Sequence, residues 1–190
     1  MIDKTIIRIL RVNHAGEYGA IRIYGAQIFC ARFLHRDLLP FLEETRAHEI
    51  EHCQRFAEAL MARQSRTCAA MPLWGCGGWM LGFVTASLGR NAVMACTAAV
   101  ERTVHAHLEE QIRYLGPRDP ALRDMILEIQ TEELSHLAFA EDNLRPGCLV
   151  RPLTVLISIA TEIVIYLSTQ GDLGRMKKAI AAAPQTDSRG

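Results

Sequence analysis

Two four-residue strings, Glu49-Ile50-Glu51-His52 and Glu133-Leu134-Ser135-His136, each set a carboxylate and an imidazole three residues apart within helical sequence. On a helix, residues three apart share a face, so Glu and His of one string can grip one ion together. A Glu-x-x-His string by itself is an ordinary solvated helix face. What lifts these two above that is a shared offset: 32 residues upstream of Glu49 stands Glu17, and 32 residues upstream of Glu133 stands Glu101. Neither lone glutamate has purely polar neighbours. Glu17 lies in His14-Ala15-Gly16-Glu17-Tyr18-Gly19-Ala20, and Glu101 follows the run Ala92 to Val100, which is apolar apart from Thr97. One Glu from each of two helices and Glu-x-x-His from each of two others form the ligand set of a carboxylate-bridged di-iron or di-manganese site in a four-helix bundle. Glu49 and Glu133 are the expected bridges, because their helices each supply a second ligand.

Four helices must therefore carry the six residues. Ile6 to about Leu34 repeats apolar residues at helical intervals, with Ile21, Tyr24 and Ile28 near one stripe and Glu17 one turn before them. Arg36 to Pro40 connects to a second, antiparallel helix from Phe41 to Ala62, in which His48 falls on a different face from Glu49 and reads as solvated. Gln64 to Pro72 breaks the pattern. A third helix runs from about Ala92 to Tyr114 with Glu101, His105 and His107, and a fourth from Pro120 to about Asn143 with Asp119 as its cap. Between the second and third, Met71 to Leu88 carries no charge over eighteen residues. Pro72, Gly75, Gly77, Gly78 and Gly82 weaken a membrane-spanning reading and favour an interfacial or buried segment. Pro152 to Gly171 suits a fifth, apolar helix whose single acid, Glu162, counts against a bilayer span. Residues 1–180 read as one domain and 181–190 as a frayed tail.

The 190-residue chain is 49% hydrophobic, enough for a sizeable core. Its 21 basic residues balance its 21 acidic ones, which leaves no electrostatic footprint for nucleic acid and argues against that class of partner. Six scattered cysteines form no C-x-x-C and follow no secretory leader, so reduced thiols are expected rather than a zinc ribbon or a disulfide framework.

The string Arg11-Val12-Asn13-His14-Ala15-Gly16-Glu17-Tyr18-Gly19-Ala20, the following Arg22-Ile23-Tyr24, and Met71-Pro72-Leu73-Trp74 resemble the demethoxyubiquinone hydroxylases, also called 3-demethylubiquinol 3-hydroxylases. Val100-Glu101 with His107, Glu132-Glu133-x-x-His136, and Ile165-Tyr166-Leu167-Ser168 extend the similarity, which covers roughly Ile6 to Asn143 before the last string. The resemblance implies an all-α, ferritin-like antiparallel four-helix bundle with an additional apolar hairpin segment and a C-terminal helix. It implies a di-iron monooxygenase of ubiquinone biosynthesis that hydroxylates the ring of a polyprenylated quinol with O2. It further implies NADH as reductant with the quinone as mediator, and peripheral attachment to the cytoplasmic side of the cell inner membrane, or the matrix side of the mitochondrial one. Partner proteins of ubiquinone biosynthesis and a homo-oligomer are compatible with it. The catalytic residues would be the metal ligands Glu17, Glu49, His52, Glu101, Glu133 and His136. His107 matches a position just outside the ligands, and Tyr24 and Tyr166 join it as candidates for that layer; the plainer reading of His107 is a polar residue at a bundle seam. The chain departs from the family pattern at Asn13 and Ala138, where aspartate usually stands; carboxylates of this kind often accept the free N–H of a metal-bound histidine.

Hard carboxylate oxygens with only two imidazoles favour iron or manganese over zinc or copper(I). No flavin or nicotinamide motif appears, so reducing electrons come from outside the chain or from the quinol. A ferritin- or rubrerythrin-like iron oxidation or storage protein shares the ligand pattern, but such assemblies expose polar shells, whereas Met71 to Leu88 and the fifth segment suit a lipid-facing protein. A metal-free membrane-associated module would leave the six ligand-type residues without a purpose.

Overall fold

A computed structural model describes residues 3–147, 150–168 and 172–182. Among these, all regular structure is helical: α1 (Lys4–Leu34), a 3-10 turn (Arg36–Leu38), α2 (Leu39–Ala62), α3 (Met71–Leu88), α4 (Arg90–Leu115), α5 (Pro120–Asp142), α6 (Val150–Ser168) and α7 (Asp172–Ala181). The starts follow local chemistry. Asp3 caps α1 by accepting the Thr5 N–H at 2.7 Å, and Asp119 caps α5 by accepting the Leu122 N–H at 3.1 Å, with Pro120 directly after it. Gly89, at φ 110°, turns α3 into α4 through a backbone conformation that favours glycine.

The bundle is formed by α1, α2, α4 and α5. Arg11 of α1 meets Ser65 and Arg66 just past the end of α2, and His14 of α1 meets Cys53 of α2. Contacts between α2 and α5 join Phe41 to Phe139, His48 to His136, Arg55 to Glu128 and Arg63 to Asp119. In each pair one number rises as the other falls, so neighbours are antiparallel, as are α1 and α4 through Asn13 with Gln111 and Tyr24 with Glu101. Two apolar clusters close the ends of the bundle interior. Leu10, Phe56, Leu60, Leu108, Ile126 and Ile129 pack at one end, and Ile28, Leu38, Leu42, Val93 and Met94 at the other. At about 1.5–3 kcal/mol for each fully buried large side chain, these clusters offset the cost of the polar layer they enclose.

The uncharged stretch is one uninterrupted helix rather than a hairpin, and α3 starts at Met71, inside the stretch expected to break the pattern. It runs parallel to α1, because Trp74 meets Gly19 while Gly82 meets Ile23. Its glycines make that approach close: a Cβ on Gly82 would stand 2.2 Å from the Ile23 carbonyl oxygen, and one on Gly78 would stand 2.5 Å from that of Gly19. One face is thus core, while Leu73, Trp79, Met80, Phe83, Val84 and Leu88 are exposed. The fifth segment is α6, whose Ile157 and Leu153 pack with Leu81 of α3 against Ile23 and Val100. α7 was not anticipated as a helix; its Met176 and Ile180 dock on the first apolar cluster. The expected end of the fifth segment at Gly171, and residues 183–190 of the expected tail, lie outside the described residues.

Candidate metal centre

The layer between the two apolar clusters is built by all four bundle helices, and it contains all six expected ligands. Glu17, Glu49, His52, Glu101, Glu133 and His136 are all buried. Their donor atoms form two groups, Glu17, Glu49, His52 and Glu133 in one and Glu49, Glu101, Glu133 and His136 in the other, each with all its atoms within 4.8 Å of one another. Glu49 and Glu133 belong to both.

The histidines show how the layer is wired. His52 Nδ1 lies 3.0 Å from Glu133 Oε1, and His136 Nδ1 lies 3.3 Å from Glu133 Oε2 and 3.7 Å from Glu49 Oε1. Both therefore turn Nδ1 toward the carboxylates. Their other nitrogens point outward to residues on the opposite Glu-x-x-His helix: His52 Nε2 is 3.0 Å from Glu132 Oε2, and His136 Nε2 is 2.9 Å from His48 Nδ1. The solvated reading of His48 is thus corrected; it is half-buried and paired with a ligand-type histidine. The signal available in sequence was positional. His48 and Glu132 each directly precede the glutamate of a Glu-x-x-His string, about 100° round the helix from it, which on these antiparallel helices faces the neighbour's histidine.

Burial dominates the electrostatics. It pushes Glu17 up to about 7, with the charge of Glu133 adding to the effect, and it holds Glu49 and Glu101 well above the usual carboxylate range. Glu133 goes the other way: burial opposes ionisation, but hydrogen bonds from His136 and His52 outweigh it and lower its pKa. Burial likewise opposes the charge on His52, yet the bond to Glu133 and the nearby Glu17 raise it to about 9. Tyr24, one of the expected outer residues, is buried and donates to Glu101 Oε1 at 2.5 Å; burial and the Glu101 charge keep its phenol protonated. A layer with four carboxylates, two inward imidazole nitrogens and a buried Glu49 Oε1 that has no hydrogen-bond partner fits a pair of hard cations.

The other expected outer residues fall elsewhere. His107 is buried, but its Nε2 bonds Glu162 of α6 at 3.0 Å, and Glu162 also meets Lys177 of α7; this is the seam position of the plainer reading. Tyr166 is exposed on α6, with its ring beside Gly174. Asn13 exchanges two amide hydrogen bonds with Gln111, at 2.7 and 2.9 Å, and Ala138 is exposed. Neither supplies an acceptor to a ligand-type histidine, and Glu132 and His48 occupy those places instead.

Residues 4–168 match the family model described as ubiquinone biosynthesis protein COQ7. The chain belongs to that family. It is 34% identical over 171 residues to the Dictyostelium discoideum protein named NADPH-dependent 3-demethoxyubiquinone 3-hydroxylase, mitochondrial, an alignment covering 88% of this chain and 78% of that one. The human protein of the same name is 38% identical over 171 residues, 86% of this chain and 77% of its own. The Rhodospirillum rubrum 3-demethoxyubiquinol 3-hydroxylase is 37% identical over 131 residues, 69% and 61% of the two chains. The names of the first two specify NADPH, where the family resemblance alone implied NADH.

Proposed function

We propose that this COQ7-family chain is a di-iron monooxygenase that hydroxylates the ring of a polyprenylated quinol, of the 2-polyprenyl-3-methyl-6-methoxy-1,4-benzoquinol type, with O2. The observation that carries this reading is the buried six-residue cluster with Glu49 and Glu133 common to its two groups. Glu17, Glu49, His52 and Glu133 would hold one iron and Glu49, Glu101, Glu133 and His136 the other, with Glu49 and Glu133 common to both sets. When bound, such a pair supplies the electrons that activate O2. One oxygen atom enters the ring C–H bond and the other leaves as water, with two electrons and one proton drawn as hydride from a reduced nicotinamide, directly or through the quinone, and a second proton from solvent.

The chain's own residues prepare the place. Glu132 and His48 take the outward N–H of His52 and His136, so that each imidazole presents its inward nitrogen. Tyr24 ties down one oxygen of Glu101 and leaves the other to coordinate. Phe56, Leu60, Leu108 and Ile129, all essentially inaccessible, keep water from one side of the layer. No helix among the described residues is long and apolar enough to cross a membrane, and the peripheral attachment we propose rests on exposed apolar side chains instead. The exposed faces of α3, with Trp79 stacked on Phe83 at 5.3 Å, and of α6, with Val155, Leu156, Ile159 and Ile163, rest on the inner-membrane surface. The quinol enters beside these two helices, whose shared cluster includes Val100, the residue preceding Glu101. Residues 1–180 act as one unit.

The test is anaerobic loading with Fe(II), then O2 with a demethoxy-quinol and NADH or NADPH, read by mass spectrometry. A gain of one oxygen atom in the quinol, taken from labelled O2, is expected. Oxidation of iron with the quinol unchanged would overturn the reading in favour of iron oxidation.

A further inference from the structure

The two ligand-type histidines have unlike supports. Glu132, reaching from α5, meets the outward nitrogen of His52, and His48, reaching from α2, meets the outward nitrogen of His136. The latter contact is in-plane. The rings are inclined by 17° with centroids 5.2 Å apart, the separation left when a 2.9 Å N···N contact is extended by the two ring radii, so they meet edge to edge. An edge-to-edge N···N contact needs one N–H and one lone pair. Once His136 Nδ1, which faces Glu133 and Glu49, is given to a metal ion, the ring's proton sits on Nε2, and we assign the lone pair to His48 Nδ1, which leaves the His48 Nε2–H facing outward.

We propose that His48 is the positioning residue of one metal position only, the one completed by Glu101 and His136, and that it holds its ion more weakly than the position completed by Glu17 and His52. This rests on the di-metal reading above. The reason is the chemistry of the acceptor. A carboxylate draws the outward N–H strongly and makes the inward nitrogen of His52 a more basic donor, whereas a neutral imidazole fixes the orientation and tautomer of His136 but polarises it less. The bridging carboxylates are common to both positions, so they do not cancel the difference.

The experiment is stepwise titration of metal-free protein with Co(II), whose visible bands report coordination. It compares the unaltered chain with His48→Phe, His48→Gln, His48→Glu and, for the other side, Glu132→Gln. The unaltered protein is expected to fill in two steps. His48→Phe should weaken the second step by roughly 10–100-fold and alter only the band that grows with it, since outer partners of metal-bound histidines carry about that factor. His48→Gln, whose amide oxygen can accept the same N–H, should restore most of the loss, and His48→Glu should draw the second step toward the first. Glu132→Gln should weaken the first step instead. Helical content of each metal-free variant is recorded, so that a folding defect in His48→Phe leaves the comparison of His48→Gln with His48→Glu to decide. Equal effects of His48→Phe on both steps, no effect on either, or His48→Glu binding its second ion no tighter than His48→Gln would overturn the assignment. Uptake of fewer than two ions by the unaltered chain would instead sink the di-metal reading, and this inference with it.

Discussion

Replacing Glu17 by Gln should stabilise the metal-free protein, and more so as pH rises. Glu17 ionises at 4.5 when unfolded and at about 7 in the folded chain, mainly because it is buried and secondarily because Glu133 is charged beside it. The folded state holds this proton more tightly, so the sign is fixed. Below 4.5 both states are protonated and no cost arises; between 4.5 and about 7 the folded state becomes progressively less favourable; above about 7 the full cost is present. At about 1.4 kcal/mol per unit, that cost is about 3 kcal/mol. Glutamine removes it but can leave an amide without a partner, a constant penalty of about 1–3 kcal/mol. The decisive quantity is therefore the change in the mutant's advantage with pH, about 2–3 kcal/mol between about pH 5 and about pH 8, or roughly 5–10 °C in Tm for a chain of this size. Urea unfolding of chelator-treated protein, followed by circular dichroism, measures it. An advantage that is flat, or larger at the acid end, would refute the account of the layer. The same variant should bind metal poorly, a gain in stability set against a loss of function.

Glu133→Ala should abolish most metal binding and all hydroxylation, because Glu133 belongs to both ligand groups; Glu132→Ala should weaken one metal position by roughly 10–100-fold. Equal losses of bound iron in the two variants would show that the ligand register is wrong. Liposome flotation should carry the unaltered protein upward, while Trp79→Glu, which places a charge on the exposed face of α3, should sink and keep its iron. A Trp79→Glu protein that sinks only when iron and helical signal vanish with it would show that this face serves the core and not the membrane.

The six ligand-type residues could be found in sequence because a helix converts spacing into a face: once two Glu-x-x-His strings and their 32-residue partners are seen, a common inward direction follows. Partners that depend on how two helices slide past each other could not be found that way. His48 looked solvated because its neighbour, His136, is 88 residues away, and nothing local to Ala47-His48-Glu49 reveals an antiparallel neighbour at that height. The glycines of α3 read as helix weakeners because their cost is local, about 1 kcal/mol each, whereas their use, admitting the α1 backbone at Gly19 and Ile23, is tertiary. α7 escaped notice for a related reason. Among the described residues its apolar docking side chains are Met176 and Ile180, and a ten-residue helix is too short for a clear periodic signal. The departures at Asn13 and Ala138 proved to concern other contacts, an amide pair with Gln111 and open solvent, which no spacing argument could separate from a role beside the metals.

Charge explains why such a layer can sit between two apolar clusters at all. Four buried carboxylates would be prohibitively costly if all were ionised together, and the protein meets this in the metal-free chain with protons. Glu49 and Glu101 stay protonated well above the usual range, Glu17 to about 7, and the His52 cation, which persists to about 9, offsets the ionised Glu133. Two dications would bring four positive charges to four carboxylates with both imidazoles neutral, so the layer is close to neutral in either state, and metals replace protons rather than add charge. A near-neutral layer can remain in a low-dielectric interior and lie next to the apolar cluster formed by Ile23, Val100 and Ile157. That is the electrostatic condition for bringing an uncharged quinol ring to metal ligands without bringing water along with it.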